Sequence, residues 1–200
     1  MKLSNKFTLS RIIFAPIFVF IYFIPIWTGK FASLSMFIGI PLLIFAEITD
    51  YLDGHYARKK NEVSDFGKLF DPFADVMLHL TTFVCLMFTA GQDLGYTGYL
   101  PIIILLFILY REMSQNFLRM IAAKKGIAIG ARKGGKFKTV MYVVAEFYAL
   151  FLEALIRLNI VPEFFETLKI VSLILFIICL ICSYASFIDY LVHFGKTLKD

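Results

Sequence analysis

The chain has 200 residues, of which 60% are hydrophobic and 17% aromatic, and its mean hydropathy is +0.78. Soluble domains carry about 45–50% apolar residues, so an ordinary soluble fold is excluded, and the length suits one membrane domain over residues 1–200. The net charge of +5 does not call for a nucleic-acid partner, because the bases gather in the connections between apolar runs. Cys85, Cys179 and Cys182 all lie within such runs, and their odd number gives no disulfide framework.

Residues 3–9 mix polar and apolar side chains, which predicts a short helix lying at the membrane surface. Lys2 and Lys6 precede an apolar run from Ile12 to Trp27. No small-x-small cleavage site follows it, so a retained membrane helix is expected rather than a signal peptide. A spanning helix needs about 20 apolar residues. Candidates fall at roughly 11–28, 32–55, 68–91, 98–122, 136–159 and 168–194. The predicted fold class is an all-α integral membrane protein, with six transmembrane helices and the short N-terminal interfacial helix. The fourth helix carries Arg111, Glu112 and Arg119, and the fifth carries Glu146 and Glu153. Ionisable groups at membrane depth are costly and ordinarily face an interior cavity.

Most lysines and arginines fall at the N-terminal flank, in the 2–3 and 4–5 connections, and in the C-terminal tail. The opposite side has only Lys30, Arg157 and Lys169. By the positive-inside rule both termini and the 2–3 connection are expected in the cytoplasm.

The second and third helices run into an acidic stretch. It reads Asp50-Tyr51-Leu52-Asp53-Gly54-His55-Tyr56-Ala57-Arg58, eight further residues, then Gly67-Lys68-Leu69-Phe70-Asp71-Pro72-Phe73-Ala74-Asp75. Asp50 and Asp53 are three apart and Asp71 and Asp75 four apart, so on helices each pair shares a face. Like charges about 4 Å apart repel by roughly 4 kcal/mol per pair at an effective dielectric of 20. Four facing carboxylates therefore need cations, and oxygen-only ligands suit Mg²⁺, Mn²⁺ or Ca²⁺. Gly54 and Ala57 leave backbone uncovered, and Arg58 offers a planar fork for a phosphate. Together these residues describe a diphosphate site. Capping competes as an explanation, since Asp71 before Pro72 reads as an N-cap with proline at the first helical position. It accounts for single aspartates, not for four at these spacings.

A second constellation runs from Arg111 to Thr139. Arg111, Gln115 and Arg119 lie at successive i, i+4 steps on one side of a helix. Gly134, Gly135, Lys136 and Lys138 then open the next helix, a setting that suits an anion. Lys124, Lys125 and Lys133 read as positive-inside residues near lipid headgroups.

The pattern Asp50-x-x-Asp53-Gly54-x-x-Ala57-Arg58, eight residues, Gly67-x-x-x-Asp71-x-x-x-Asp75 resembles the signature of the CDP-alcohol phosphatidyltransferases at every signature position. Asn5-x-x-Thr8-x-x-Arg11 resembles the segment before the first membrane helix in that family. Arg111-Glu112, Arg119, Lys125-Gly126 and Gly135-Lys136-x-Lys138-Thr139 are similar to the matching segment of its bacterial phosphatidylglycerophosphate synthase branch. Val76, where a lysine is common, and Glu47, where a small or apolar residue is usual, depart from the pattern.

The resemblance implies a six-helix homodimer in the cytoplasmic membrane, with its active site facing the cytoplasm. Its substrates would be CDP-diacylglycerol and glycerol 3-phosphate. It implies two Mg²⁺ or Mn²⁺ ions per site on Asp50, Asp53, Asp71 and Asp75, with Asp75 as general base. Thr8, Asp53, Gly54, Ala57, Arg58 and Gly67 would take the nucleotide and diphosphate. Arg111, Arg119, Lys136 and Lys138 would take the acceptor phosphate. Inositol, inositol phosphate or serine are alternative acceptors for the same chemistry. A membrane cation transporter is the alternative from another class, but it leaves Gly54, Ala57, Arg58 and Gly67 without a role.

Overall fold

The computed structural model describes residues 3–59, 65–90, 98–127 and 133–198, with side chains described for 7–49, 67, 69–90, 98–127 and 134–195. The described chain is all helical: α1 (Leu3–Thr28), α2 (Ala32–Lys59), α3 (Asp65–Cys85), α4 (Ile102–Lys124), α5 (Lys133–Arg157) and α6 (Phe165–Leu198). Helices α1, α2, α5 and α6 are by themselves long and apolar enough to cross a membrane. Helices α3 and α4 carry the acids and bases that lower their hydropathy. Large apolar side chains such as Phe20, Phe37, Ile181 and Val192 face outward, as lipid contact requires.

Residues 3–9 do not form a separate surface helix; they are the first turns of α1. No glycine or proline separates them from Arg11, so nothing in the backbone breaks the helix there. Asp71 and Pro72 likewise lie inside α3 rather than at its start, because α3 begins at Asp65. The proline leaves one carbonyl a turn earlier without its helical N–H.

Helices α4 and α5 end alike. Gly126 (φ +74°) and Asn159 (φ +57°) take the left-handed conformation just past them. Ile127 N then donates to Ala122 O at 2.9 Å, and Ile160 N to Leu155 O at 3.0 Å. This six-to-one closure satisfies carbonyls that the helix ends would otherwise leave open.

In the bundle α1 packs on α2 and α3, α3 also on α4 and α5, α5 on α2 and α6, and α4 on α6. Phe18 and Tyr22 of α1, Phe83 of α3, Leu86 just past its end, Leu150 of α5 and Phe176 of α6 are fully buried in the core.

One end of the bundle is closed by a polar knot. Glu153 Oε1 accepts from Arg157 Nε at 2.7 Å and from Ala90 N at 2.9 Å. Its Oε2 accepts from the Thr89 hydroxyl at 2.6 Å and the Tyr99 hydroxyl at 3.0 Å. Arg157 Nη1 donates to Tyr22 O at 3.0 Å and Ser35 Oγ at 2.8 Å, and the guanidinium lies 4.2 Å over the Tyr22 ring. This knot joins α1, α2, α5 and the chain leaving α3.

Candidate active site

The other end carries the acids. Thr8 and Arg11 are three apart on α1, and Asp71 and Asp75 four apart on α3, so both pairs lie along the packed faces. The Thr8 hydroxyl donates to Asp71, and the Arg11 guanidinium pairs with Asp75. Thr8 and Arg11 are buried, whereas Asp71 and Asp75 remain partly open. Gly67, a turn before Asp71, is buried. The side chains of Asp50, Asp53, Ala57 and Arg58, and the surroundings of Gly54, lie outside the described residues. Their backbone belongs to the last turns of α2.

One turn beyond Asp75, His79 is buried. Its Nδ1 lies 3.0 Å from Glu146 Oε2 of α5 and 4.0 Å from Glu47 Oε1 of α2. Glu47 precedes Asp50 by one turn of α2, and His79 follows Asp75 by one turn of α3. The Glu47–His79 approach therefore sets the acid-bearing turns of α2 and α3 at the same level of the bundle.

The His79 ring meets Tyr142 edge-on, with centroids 5.8 Å apart, and Tyr142 leads into a third group centred on Glu112. Glu112 Oε1 accepts from Lys138 Nζ at 2.8 Å, Arg111 Nη1 at 2.9 Å and the Tyr142 hydroxyl at 2.9 Å. Arg111 Nε donates to Ser183 O at 2.9 Å, tying α4 to α6. Two cations share one carboxylate, so this buried group carries a net charge of about +1. Arg119, two turns along α4, is partly buried, while Lys136 is exposed.

Beside Arg119 are buried polar atoms with no hydrogen-bond partner among the described residues: both amide atoms of Gln115, Arg119 Nε and the Tyr190 hydroxyl. Buried polar groups are rarely left so, and here they point to a polar ligand or ordered water.

Of the residues read from the sequence, the structure brings Thr8 to Asp71 and joins Arg111 to Lys138 through Glu112. Lys136 is exposed, two residues before Lys138 on α5. Sequence reasoning missed the pairing of Arg11 with Asp75, although the matched i+3 and i+4 spacings on α1 and α3 carried a signal. It also missed His79, which nothing local distinguishes from a core histidine.

The donor set fits hard divalent ions, since Asp71 and Asp75 present carboxylate oxygens along one partly open helix face.

Comparison with known proteins agrees with this chemistry. The family model described as CDP-alcohol phosphatidyltransferase matches residues 1–184. A CDP-diacylglycerol–glycerol-3-phosphate 3-phosphatidyltransferase of Treponema pallidum is 34% identical over 209 aligned positions, covering all of this chain and 92% of the relative. The Bacillus subtilis protein of that name is 35% identical, over 72% of this chain and 74% of its own. A relative from Arabidopsis thaliana, the second of that name there, is 32% identical over 72% of this chain and 61% of its own.

Proposed function

The chain belongs to the CDP-alcohol phosphatidyltransferase family, and from that premise we propose that it transfers the phosphatidyl group of CDP-diacylglycerol to sn-glycerol 3-phosphate, giving phosphatidylglycerophosphate and CMP. The relatives' names support this acceptor. The observation that carries it on this chain is the set of unpartnered buried polar atoms of Gln115, Arg119 and Tyr190 beside the positive Glu112 group. A phosphate dianion suits that surrounding better than a neutral alcohol does.

In this reading Asp50, Asp53, Asp71 and Asp75 hold two Mg²⁺ or Mn²⁺ ions. Those ions, when bound, neutralise the diphosphate and stabilise the departing CMP. Thr8 and Arg11 fix the Asp71 and Asp75 carboxylates in place. Gly54, Ala57, Arg58 and Gly67 leave room for the nucleotide end and grip it. Asp75 takes the proton of the acceptor hydroxyl as its oxygen bonds to the lipid-linked β-phosphorus and the bond from that phosphorus to CMP breaks. Arg119 contacts the acceptor phosphate directly, with Arg111 and Lys138 held behind it by Glu112 and Lys136 at the outer rim. The site faces the cytoplasm, from which glycerol 3-phosphate comes and into which CMP leaves, and the protein works as a homodimer in the cell membrane.

Purified protein given labelled CDP-diacylglycerol and a panel of glycerol 3-phosphate, serine, inositol and inositol phosphate tests the acceptor. Only glycerol 3-phosphate should yield labelled lipid, and in vesicles only when supplied to the cytoplasmic face. Use of serine or inositol in its place would overturn the acceptor and leave the transferase chemistry standing.

A further inference from the structure

We propose that Glu47, His79 and Glu146 form a separate binding site for one divalent transition-metal ion, Zn²⁺ or Mn²⁺, one helical turn deeper than the aspartate cage. One ligand atom from each residue lies within 4.8 Å of the others, and this is the one group of three or more such ligands found among the described residues. Three helices supply it: α2, α3 and α5.

The geometry is that of ligands around a common centre. His79 Nδ1 carries at most one hydrogen. It can donate to Glu146 at 3.0 Å, but Glu47 at 4.0 Å is beyond hydrogen-bond reach of the same nitrogen. Bonds of about 2.0–2.2 Å to a shared ion place ligand atoms roughly 3.0–3.5 Å apart. The His79–Glu146 distance already meets this, and Glu47, 4.0 Å from His79 and in the same 4.8 Å group, must close on the other two. Glu47 is the least buried of the three, with its side chain 24% exposed.

Two carboxylates with one neutral imidazole match the charge of a divalent ion. One nitrogen with two oxygens suits Zn²⁺ or Mn²⁺, whereas Mg²⁺ keeps to oxygen ligands. The Tyr142 ring walls the histidine on its far side. An ion here pins α2, α3 and α5 together directly beneath the turns bearing Asp50 and Asp75, and so fixes the spacing of the cage. The site does not depend on which alcohol accepts the phosphatidyl group.

The test uses full-length protein in detergent, stripped with a chelator and then given Co²⁺ as the probe in a large excess of Mg²⁺. Bound cobalt is counted after desalting, and its visible spectrum reports nitrogen ligation. Wild type should retain one more Co²⁺ per chain than Glu146→Gln or His79→Gln, while Asp71→Asn should keep that ion. Glu47→Gln leaves the buried His79–Glu146 contact in place, so it guards against loss through misfolding, and it too should lose the ion. Retention of the same cobalt count by Glu47→Gln and wild type, or no cobalt on wild type, would overturn the site.

Discussion

The two ends of this bundle both bury charge, but they balance it differently. At the Glu153 end one carboxylate meets one guanidinium at 2.7 Å, both side chains are fully buried, and hydroxyls and backbone groups take up further sites on the two partners. At the Asp75 end Asp71 and Asp75 share a face of α3, and Glu47 and Glu146 meet His79 one turn deeper. Among the described residues Arg11 pairs with Asp75 and His79 with Glu146. Between the ends, Lys138 and Arg157 are 19 residues apart on α5, about 28 Å at 1.5 Å per residue. An end that satisfies its own charges holds helices together. An end with surplus carboxylate needs something bound.

The largest effect expected from that contrast is on turnover. Asp75→Asn keeps the size and helix position of the side chain but cannot take a proton. Turnover per folded molecule should fall by about 100-fold or more, the usual worth of a general base. Near-normal turnover would remove Asp75 from that role.

At the opposite end the loss should be of stability. Breaking a fully buried ion pair by removing one partner costs about 3–5 kcal/mol. Glu153→Gln should therefore lower the melting temperature sharply in detergent while the folded fraction keeps its specific activity. A variant that melts normally yet turns over poorly would erase the distinction between the two ends.

The acceptor side should show a smaller change. A charge-assisted hydrogen bond is worth about 1.5–3 kcal/mol, so Arg119→Ala should raise the KM for glycerol 3-phosphate about tenfold or more. The KM for CDP-diacylglycerol should stay nearly constant. Exposed Lys136→Ala should change the same KM by less, since solvent screens it. Equal rises for both substrates would make Arg119 an anchor of α4 rather than a ligand of the acceptor.

The helices and the aspartate spacing were legible because each is written locally. Twenty-residue apolar runs mark spans, and acids three or four apart mark a helix face. The boundaries were less so: α1 absorbs residues 3–9 because no breaker separates them from Arg11, and α3 starts before Asp71 despite Pro72. The charge pairings were not legible. His79 and Glu146 are 67 residues apart, and Arg157 bonds to Tyr22 O across 135. Which helices pack together, and in what register, is decided by the whole bundle. Even the neighbours Arg111 and Glu112 pair against expectation, since adjacent residues on a helix do not ordinarily face each other.

The central claim is that the Asp75 end works only with divalent cations bound. Its most direct test is the turnover of purified protein stripped with a chelator and then resupplied with Mg²⁺ or Mn²⁺. Activity should vanish on stripping and return with either ion. Undiminished turnover by the metal-free protein would contradict the account.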